Sequence, residues 1–306
     1  MRILLLGANG QVGTELQHSL CHIGHVVAAT RTGRLAGGSA CEAVDLARVE
    51  ALGSAVSRIA PDIVVNAAAY TAVDRAESEP ELAHLINAEA PGVLADACHR
   101  RGIPLVHYST DYVFDGNGRR PYREDDSTSP QNVYGASKLA GEQAIAASGV
   151  EHLILRTAWV YGLHGHNFLR TMLRLGAERD VLDVVNDQRG CPTPSWLIAD
   201  ATAQAIRCGI SGMRIRHLVT TGNTTWYGFA DAIFAQAAVN GVLDRRPLVS
   251  PVPSAAFPTP VRRPEYSVMT SELLQRESGL NFPGWHEALR LTFSRGMSRQ
   301  ASVDDP

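Results

Sequence analysis

Tyr134 and Lys138, in the run Asn132-Val133-Tyr134-Gly135-Ala136-Ser137-Lys138, stand four residues apart. On a helix that spacing puts a phenol and an ammonium on one face, where the cation favours phenolate and makes the phenol a better acid. Free tyrosine titrates near ~10, and each unit of downward shift needs about 1.4 kcal/mol of differential stabilisation. The opening Gly7-Ala8-Asn9-Gly10-Gln11-Val12-Gly13 offers such an acid something to work with. Its glycines follow the first apolar run and open a helix at about Gln11, the setting in which backbone amides face a dinucleotide pyrophosphate. The G-x-x-G-x-x-G spacing differs from the G-x-G-x-x-G of ordinary dehydrogenases. Together the pair and the loop point to a nicotinamide-dependent oxidoreductase. Tyr-x-x-x-Lys by itself is a common coincidence, but here Ser129-Pro130 supplies an N-cap and a first helical position for the helix it requires.

The elements that must position these residues alternate along the chain. Ile3–Leu6, His25–Ala29, Ile63–Asn66, Pro104–His107 and His152–Arg156 read as strands with helical patterns between them, which predicts an α/β fold with a doubly wound parallel sheet. Asp62-Ile63-Val64-Val65-Asn66 is continuously apolar at its centre, as expected when helices cover both faces. Ligands then bind at the carboxyl ends of the strands. Residues 1–160 are expected to form the nucleotide-binding lobe and residues 161–306 mainly a smaller substrate lobe, with later segments returning to the first. Helix-like Thr225–Ala238 and Trp285–Gly296 flank Pro251–Pro264, which reads as a substrate-gripping loop. There is no internal repeat.

The strand ends suggest who touches what. The second strand closes on Ala28-Ala29-Thr30-Arg31, where an NAD-selective site places an acid for the ribose; Arg31 favours a 2′-phosphate, hence NADPH, with NADH the alternative. Arg31 and Arg34 are otherwise simply solvated loop charges. The small residues of Asn66-Ala67-Ala68-Ala69-Tyr70-Thr71 let the backbone approach a bound cofactor, or merely pack helix against sheet. Thr110, in Tyr108-Ser109-Thr110-Asp111-Tyr112, is placed to bond a substrate carbonyl, unless Ser109 and Thr110 only cap their turn.

With 306 residues, 45% hydrophobic and 19% charged, the chain has the composition of a globular protein with a large core. A formal charge of -3 leaves no basic footprint for nucleic acid or an anionic membrane, so small-molecule partners are expected. Cys21, Cys41, Cys98, Cys191 and Cys208 are scattered without a Cys-x-x-Cys pair and are expected reduced and mostly packed. No stretch reads as a signal peptide or membrane span, and a cytoplasmic location is expected.

The chain resembles the extended short-chain dehydrogenase/reductase family, and within it the branch that reduces dTDP-4-dehydro-L-rhamnose, over most of its length. The resemblance rests on the glycine loop, Asn66-Ala67-Ala68-Ala69-Tyr70-Thr71-Ala72-Val73-Asp74, Ala76-Glu77, His107 to Phe114, and Asn132-Val133-Tyr134-Gly135-x-x-Lys138-x-x-Gly141-Glu142. Arg156-Thr157-x-Trp159-Val160-Tyr161, Asn167-Phe168, Asn186-Asp187-Gln188-x-Gly190-x-Pro192-Thr193 and Pro258-Thr259-Pro260-x-x-Arg263-Pro264 extend it. It implies reduction of a C4 ketone to give dTDP-L-rhamnose, the last step in making this sugar donor for cell-surface polysaccharide, with hydride from NADPH and a proton from Tyr134. Lys138 would hold the nicotinamide ribose and tune the phenol. Thr110 would orient the carbonyl, and Asp111, Trp159 and Asn167 would contact the sugar. Arg263 would meet the substrate pyrophosphate, the alternative being an ion pair, as a core aromatic is for Trp159. Gly7, Gly10, Gln11, Val12 and Gly13 are implied at the cofactor pyrophosphate. Thr30 and Arg31 would lie at the adenosine ribose, Asp45 and Leu46 at adenine, and Ala69, Tyr70 and Thr71 on the nicotinamide side.

Some members of the family bind Mg²⁺ through glutamates at a dimer interface. Glu15 is present, but Pro194-Ser195-Trp196-Leu197 has no acid where one is expected, so a monomer or weak homodimer without a bridging metal is the expectation. Two rival functions fit the fold. A dehydratase or epimerase uses the same pair, yet Thr110-Asp111 is followed by Tyr112, leaving no second carboxylate to expel water. A non-catalytic regulatory subunit is opposed by the intact Tyr134, Lys138 and Thr110.

Overall fold

Ile3 and Leu5 face one side of the first strand and Leu4 and Leu6 the other, and none of the four is more than 1% exposed. A strand buried on both faces belongs inside a parallel sheet, and this one does. The computed structural model describes the backbone of residues 1–301 and the side chains of residues 1–296. Its sheet contains β1 (Arg2–Leu6), β2 (His25–Thr30), β3 (Glu42–Ala43), β4 (Ile63–Asn66), β5 (Leu105–Thr110), β6 (His152–Thr157) and a seventh strand, Met213–His217. The spatial order is Met213–His217, β6, β5, β4, β1, β2, β3, and every pairing is parallel. The doubly wound sheet read from the sequence is therefore the fold. The chain reverses direction of travel between β1 and β4, the crevice where such sheets receive ligands.

One face is covered by α1 (Gln11–Leu20) and the helix Ser195–Arg207, which pack Leu16, Leu20, Leu197 and Ile198 against Ile3, Leu5 and Val65. The other is covered by Val49–Ile59, Ala90–Arg101 and Val133–Ala147, with Leu52, Val56, Leu94 and Ile145 against Leu4, Leu6 and Val64. Each such side chain taken from water contributes roughly 1.5–3 kcal/mol, so the register of β1 is fixed from both sides. A separate core gathers Leu169, Phe229, Phe234 and Trp285 from the helices Phe168–Glu178, Trp226–Val239 and Trp285–Ala301 around Tyr161 of the short strand Val160–Tyr161. Of the lobe expected over 161–306, residues 302–306 lie outside the described residues.

Three local expectations change. The helix carrying Tyr134 begins at Val133, capped by Asn132, whose Oδ1 accepts from the Gly135 amide at 2.8 Å; Ser129-Pro130 lies in the loop before it, where the Ser129 amide donates to Val113. Pro251 and Val252 end a strand, Leu248–Val252, that pairs with Val181–Val185, and Ser254–Ala256 forms a 3₁₀ turn, so only the rest of the Pro251–Pro264 stretch is loop. All five cysteines are free thiols, but Cys21 and Cys208 are exposed and only Cys98 and Cys191 are buried.

Candidate active site

The glycine loop turns directly off β1. Gly7 has φ +76°, a backbone that favours glycine, and a Cβ there would lie 2.6 Å from the Ala68 amide nitrogen at the end of β4. A Cβ on Gly13 would lie 2.1 Å from the Gly7 carbonyl oxygen, so α1 closes onto the loop only because position 13 lacks a side chain. Gly10 precedes α1 without side-chain capping, which leaves the first amides of a ten-residue helix for an anion. Gln11 sits beside them with a buried Oε1 that has no partner among the described residues, and half-buried Val12 packs against the core. This cradle fits a dinucleotide pyrophosphate.

Around it the predicted cofactor residues divide. Arg31 is exposed just beyond β2, whereas Thr30 is buried and bonds through Oγ1 to the backbone of Arg34. Asp45 caps its own turn by accepting from Ala47, and Leu46 belongs to the core. Ala69 and Tyr70 are half-buried and Thr71 exposed at the end of β4. Sequence reasoning missed what holds that segment. Asn87 accepts from the Tyr70 amide at 2.9 Å, donates to the Tyr70 carbonyl at 3.0 Å and to Ser137 Oγ at 3.0 Å. It lies in a π-helical turn, Leu85–Glu89, and so ties the β4 loop to the Tyr134 helix.

Thr110 and Asp111 stand at the end of β5. Thr110 Oγ1 donates to Asp111 Oδ1 at 3.0 Å and accepts from the Tyr112 amide at 3.2 Å, so the capping role and a place in the site coexist. Burial pushes the Asp111 carboxyl up to about 6, against hydrogen bonds from Ser267 and Thr110. Ser109 Oγ, Asp111 Oδ2 and Thr157 Oγ1 are buried with no hydrogen-bond partner among the described residues, at the carboxyl ends of adjacent strands. Unpaired polar atoms of this kind are costly without a ligand.

Tyr134 lies beside this cluster, its ring centroid 5.6 Å from that of Tyr112. Burial pushes its phenol up to about 12; contact with the Thr110 hydroxyl works the other way and the Asp111 charge adds to the rise. Lys138 is not among the groups acting on the phenol here. Lys138 is 2% exposed, burial pulls its ammonium down to about 8 against the charge of Glu142, and its Nζ lies 3.2 Å from His107 Nε2. His107 was not anticipated: nothing in its spacing separates a buried strand imidazole from any other.

The outer residues are also placed. Trp159, on the loop after β6, has φ +47° and stacks face to face on Trp226 at 3.5 Å between centroids. A left-handed backbone at a tryptophan marks a position held by its surroundings. Asn167 caps the helix Phe168–Glu178, accepting from the Arg170 amide and donating to the carbonyls of Gly162 and His164, so its amide positions a loop. Arg263 Nη2 donates to both Asp74 oxygens, at 3.0 and 2.8 Å, while its Nε is buried and unpartnered. The ion pair is what the structure shows. Glu15, buried on α1, faces His164 Nε2 at 3.6 Å. One carboxylate and an imidazole do not fit Mg²⁺, which takes an octahedral shell of oxygens.

Residues 1–297 match the family model described as the RmlD substrate binding domain. The chain is 45% identical over 293 residues to a dTDP-4-dehydrorhamnose reductase of Escherichia coli strain K12, covering 95% of this chain and 96% of that one. A protein with the same description from Salmonella typhimurium is 46% identical over 288 residues, covering 93% and 94%. Among solved structures, that of a Bacillus anthracis dTDP-4-dehydrorhamnose reductase in complex with NADP is similar with a TM-score of 0.87 at 35% identity, covering 96% of this chain and 99% of that one.

Proposed function

This chain belongs to the RmlD family of dTDP-4-dehydrorhamnose reductases, and on that premise we propose that it reduces the C4 ketone of dTDP-4-dehydro-L-rhamnose to dTDP-L-rhamnose. The product would supply rhamnose for cell-surface polysaccharide. The observation that carries the reading is the joining of buried Thr110 and Asp111 with half-buried Tyr134 in one cluster beyond the glycine cradle, with Lys138 one turn farther along the helix.

Bound NADPH supplies the hydride. Thr110 orients the ketone oxygen toward Tyr134, whose phenol remains protonated across neutral pH because burial disfavours phenolate. That keeps a proton ready for the alkoxide, a far stronger base than phenolate, as it develops. Lys138 holds the nicotinamide ribose, with Ala69, Tyr70 and Thr71 on the same side. Gly7, Gly10, Gln11, Val12 and Gly13 take the cofactor pyrophosphate, Arg31 its 2′-phosphate, and Thr30, Asp45 and Leu46 shape the adenosine end. Asp111 and Trp159 meet the sugar. Asn167 acts through the loop it pins, and Arg263 shares its guanidinium between Asp74 and the substrate pyrophosphate. Residues 1–160 form the nucleotide lobe, to which the later segments Ser195–Arg207 and Met213–His217 return, and the rest of 161–306 is mainly the substrate lobe. Among the described residues no helix is long and apolar enough to cross a membrane. Five free thiols suit a reducing cytoplasm, and the chain acts there as a monomer or weak homodimer.

The test is loss of nicotinamide absorbance with NADPH and enzymatically generated dTDP-4-dehydro-L-rhamnose, with the sugar product identified. Turnover to dTDP-L-rhamnose that collapses in Tyr134→Phe supports the reading. Absence of turnover by intact protein that binds NADPH overturns the substrate assignment.

A further inference from the structure

Lys138 is buried against a neutral partner whose hydrogen-bonding sense is set two residues away. The Ala68 amide donates to Asn66 Oδ1 at 3.2 Å, which leaves Asn66 Nδ2 as the group facing His107 Nδ1 at 3.1 Å. An amide nitrogen only donates, so Nδ1 accepts, and the ring proton of neutral imidazole is then on Nε2. Nε2 lies 3.2 Å from Lys138 Nζ. An Nε2–H can donate only to an amine with a lone pair, because an ammonium offers donors alone. Turning the Asn66 amide over would reverse the chain, but it would set Nδ2 against the Ala68 N–H.

We propose that His107, its tautomer fixed by Asn66, is a positioning residue that holds Lys138 as an uncharged amine in the cofactor-free protein at alkaline pH and releases it when it gains a proton. The proton comes from solvent and ends on Nζ; the Nε2–H contact to Nζ is lost, and the ammonium is then free to turn along its helix toward Tyr134. No other bond changes. The other charged or titratable groups about this contact are consistent with it. Glu142, on the same helix, favours the ammonium, but its charge is taken up by Arg156 from β6 through bonds of 2.9 and 2.6 Å. Burial holds His107 neutral, and Lys138 once it is an ammonium, then His152 at the start of β6, add to that. Asp111 bears on Tyr134.

The first arm needs no turnover. In cofactor-free protein labelled with ¹⁵N-histidine, the His107 ring at pH 9 is expected to show an unprotonated Nδ1 and a protonated Nε2. Its signals are those lost in His107→Gln or, should that variant not fold, those that alone follow a titration near pH 8. The Nδ1–H tautomer, or a ring blind to that titration, overturns the proposal. The second arm rests on the reductase reading and compares kcat/KM against pH. In His107→Gln, whose amide can present its oxygen to the ammonium, the alkaline limb is expected to move up by about one pH unit, a tenfold change in proton affinity. Reduced activity with an unmoved or lowered limb would leave His107 a packing residue and overturn the proposal. If no variant or parent turns over, the reductase reading fails while the tautomer result stands.

Discussion

Glu142 and Arg156 form a two-pronged ion pair, Nε to Oε1 at 2.9 Å and Nη2 to Oε2 at 2.6 Å, with side chains only 3% and 4% exposed. One belongs to the helix carrying Tyr134 and Lys138, the other to β6. The pair therefore sets where that helix sits along the sheet. Arg156 also lies over the Phe114 ring and keeps its Nη1 unpartnered, so among the described residues it has no alternative acceptor.

Glu142→Ala leaves that guanidinium buried without its counter-charge. Stability is expected to fall by about 3–5 kcal/mol, the usual consequence of removing one partner from a buried pair. Urea unfolding measures it, and a loss below about 1 kcal/mol would show that water reaches Arg156.

Gly13→Ala places a methyl 2.1 Å from the Gly7 oxygen. The turn must open, and NADPH affinity is expected to fall at least about tenfold, or ~1.4 kcal/mol. Gly37→Ala, whose added Cβ meets nothing within 4 Å, is the control and should bind as the parent does. Nicotinamide fluorescence titration distinguishes them.

Lys138→Met should abolish turnover yet stabilise the protein near neutrality. The native ammonium loses its proton at about 8 against 10.5 for an ordinary lysine, so between those values the unfolded chain binds more protons. Parent stability rises with pH across that window and carries the full burial penalty below it, on the order of 3 kcal/mol. The advantage of the variant is expected at pH 7 and should shrink between pH 8 and 10.5. An advantage that does not vary with pH would assign it to packing alone.

Trp226→Leu removes the ring on which Trp159 stacks and the bond from its Nε1 to Gln188. Such stacking is worth roughly 0.5–1.5 kcal/mol beyond burial. KM for the sugar nucleotide is expected to rise up to about tenfold with kcat changed less. An equal fall in kcat at unchanged KM would move the stack out of the substrate pocket.

The strands β1, β4 and β6 were legible because parallel strands covered on both faces leave unbroken apolar runs. β5 was read as ending at His107 and continues to Thr110, since Tyr108-Ser109-Thr110 carries the polar atoms of a site where an apolar strand was sought. The glycine cradle was legible because sterics permit no other residue at positions 7 and 13. The cap at Asn132 was missed in favour of Ser129-Pro130, since both pairs satisfy the same local rule and only the Gly135 amide decides between them. Asn87, His107 and Trp226 carry no local signature. Each acts by meeting a residue distant in sequence, Ser137, Lys138 and Trp159 respectively, and only the tertiary fold brings them together.

The pairing of β6 with Met213–His217 reaches beyond the finished molecule. During synthesis β6 emerges with its outer edge bare, and the strand that covers it follows only after the intervening helices Phe168–Glu178 and Ser195–Arg207. At ~5–20 residues per second the ribosome exposes that edge for several seconds. Non-local parallel pairing of this kind slows folding, and the nascent chain is most open to misassociation while the edge waits. Premature termination before Met213 would leave an open sheet, a substrate for chaperones and proteases.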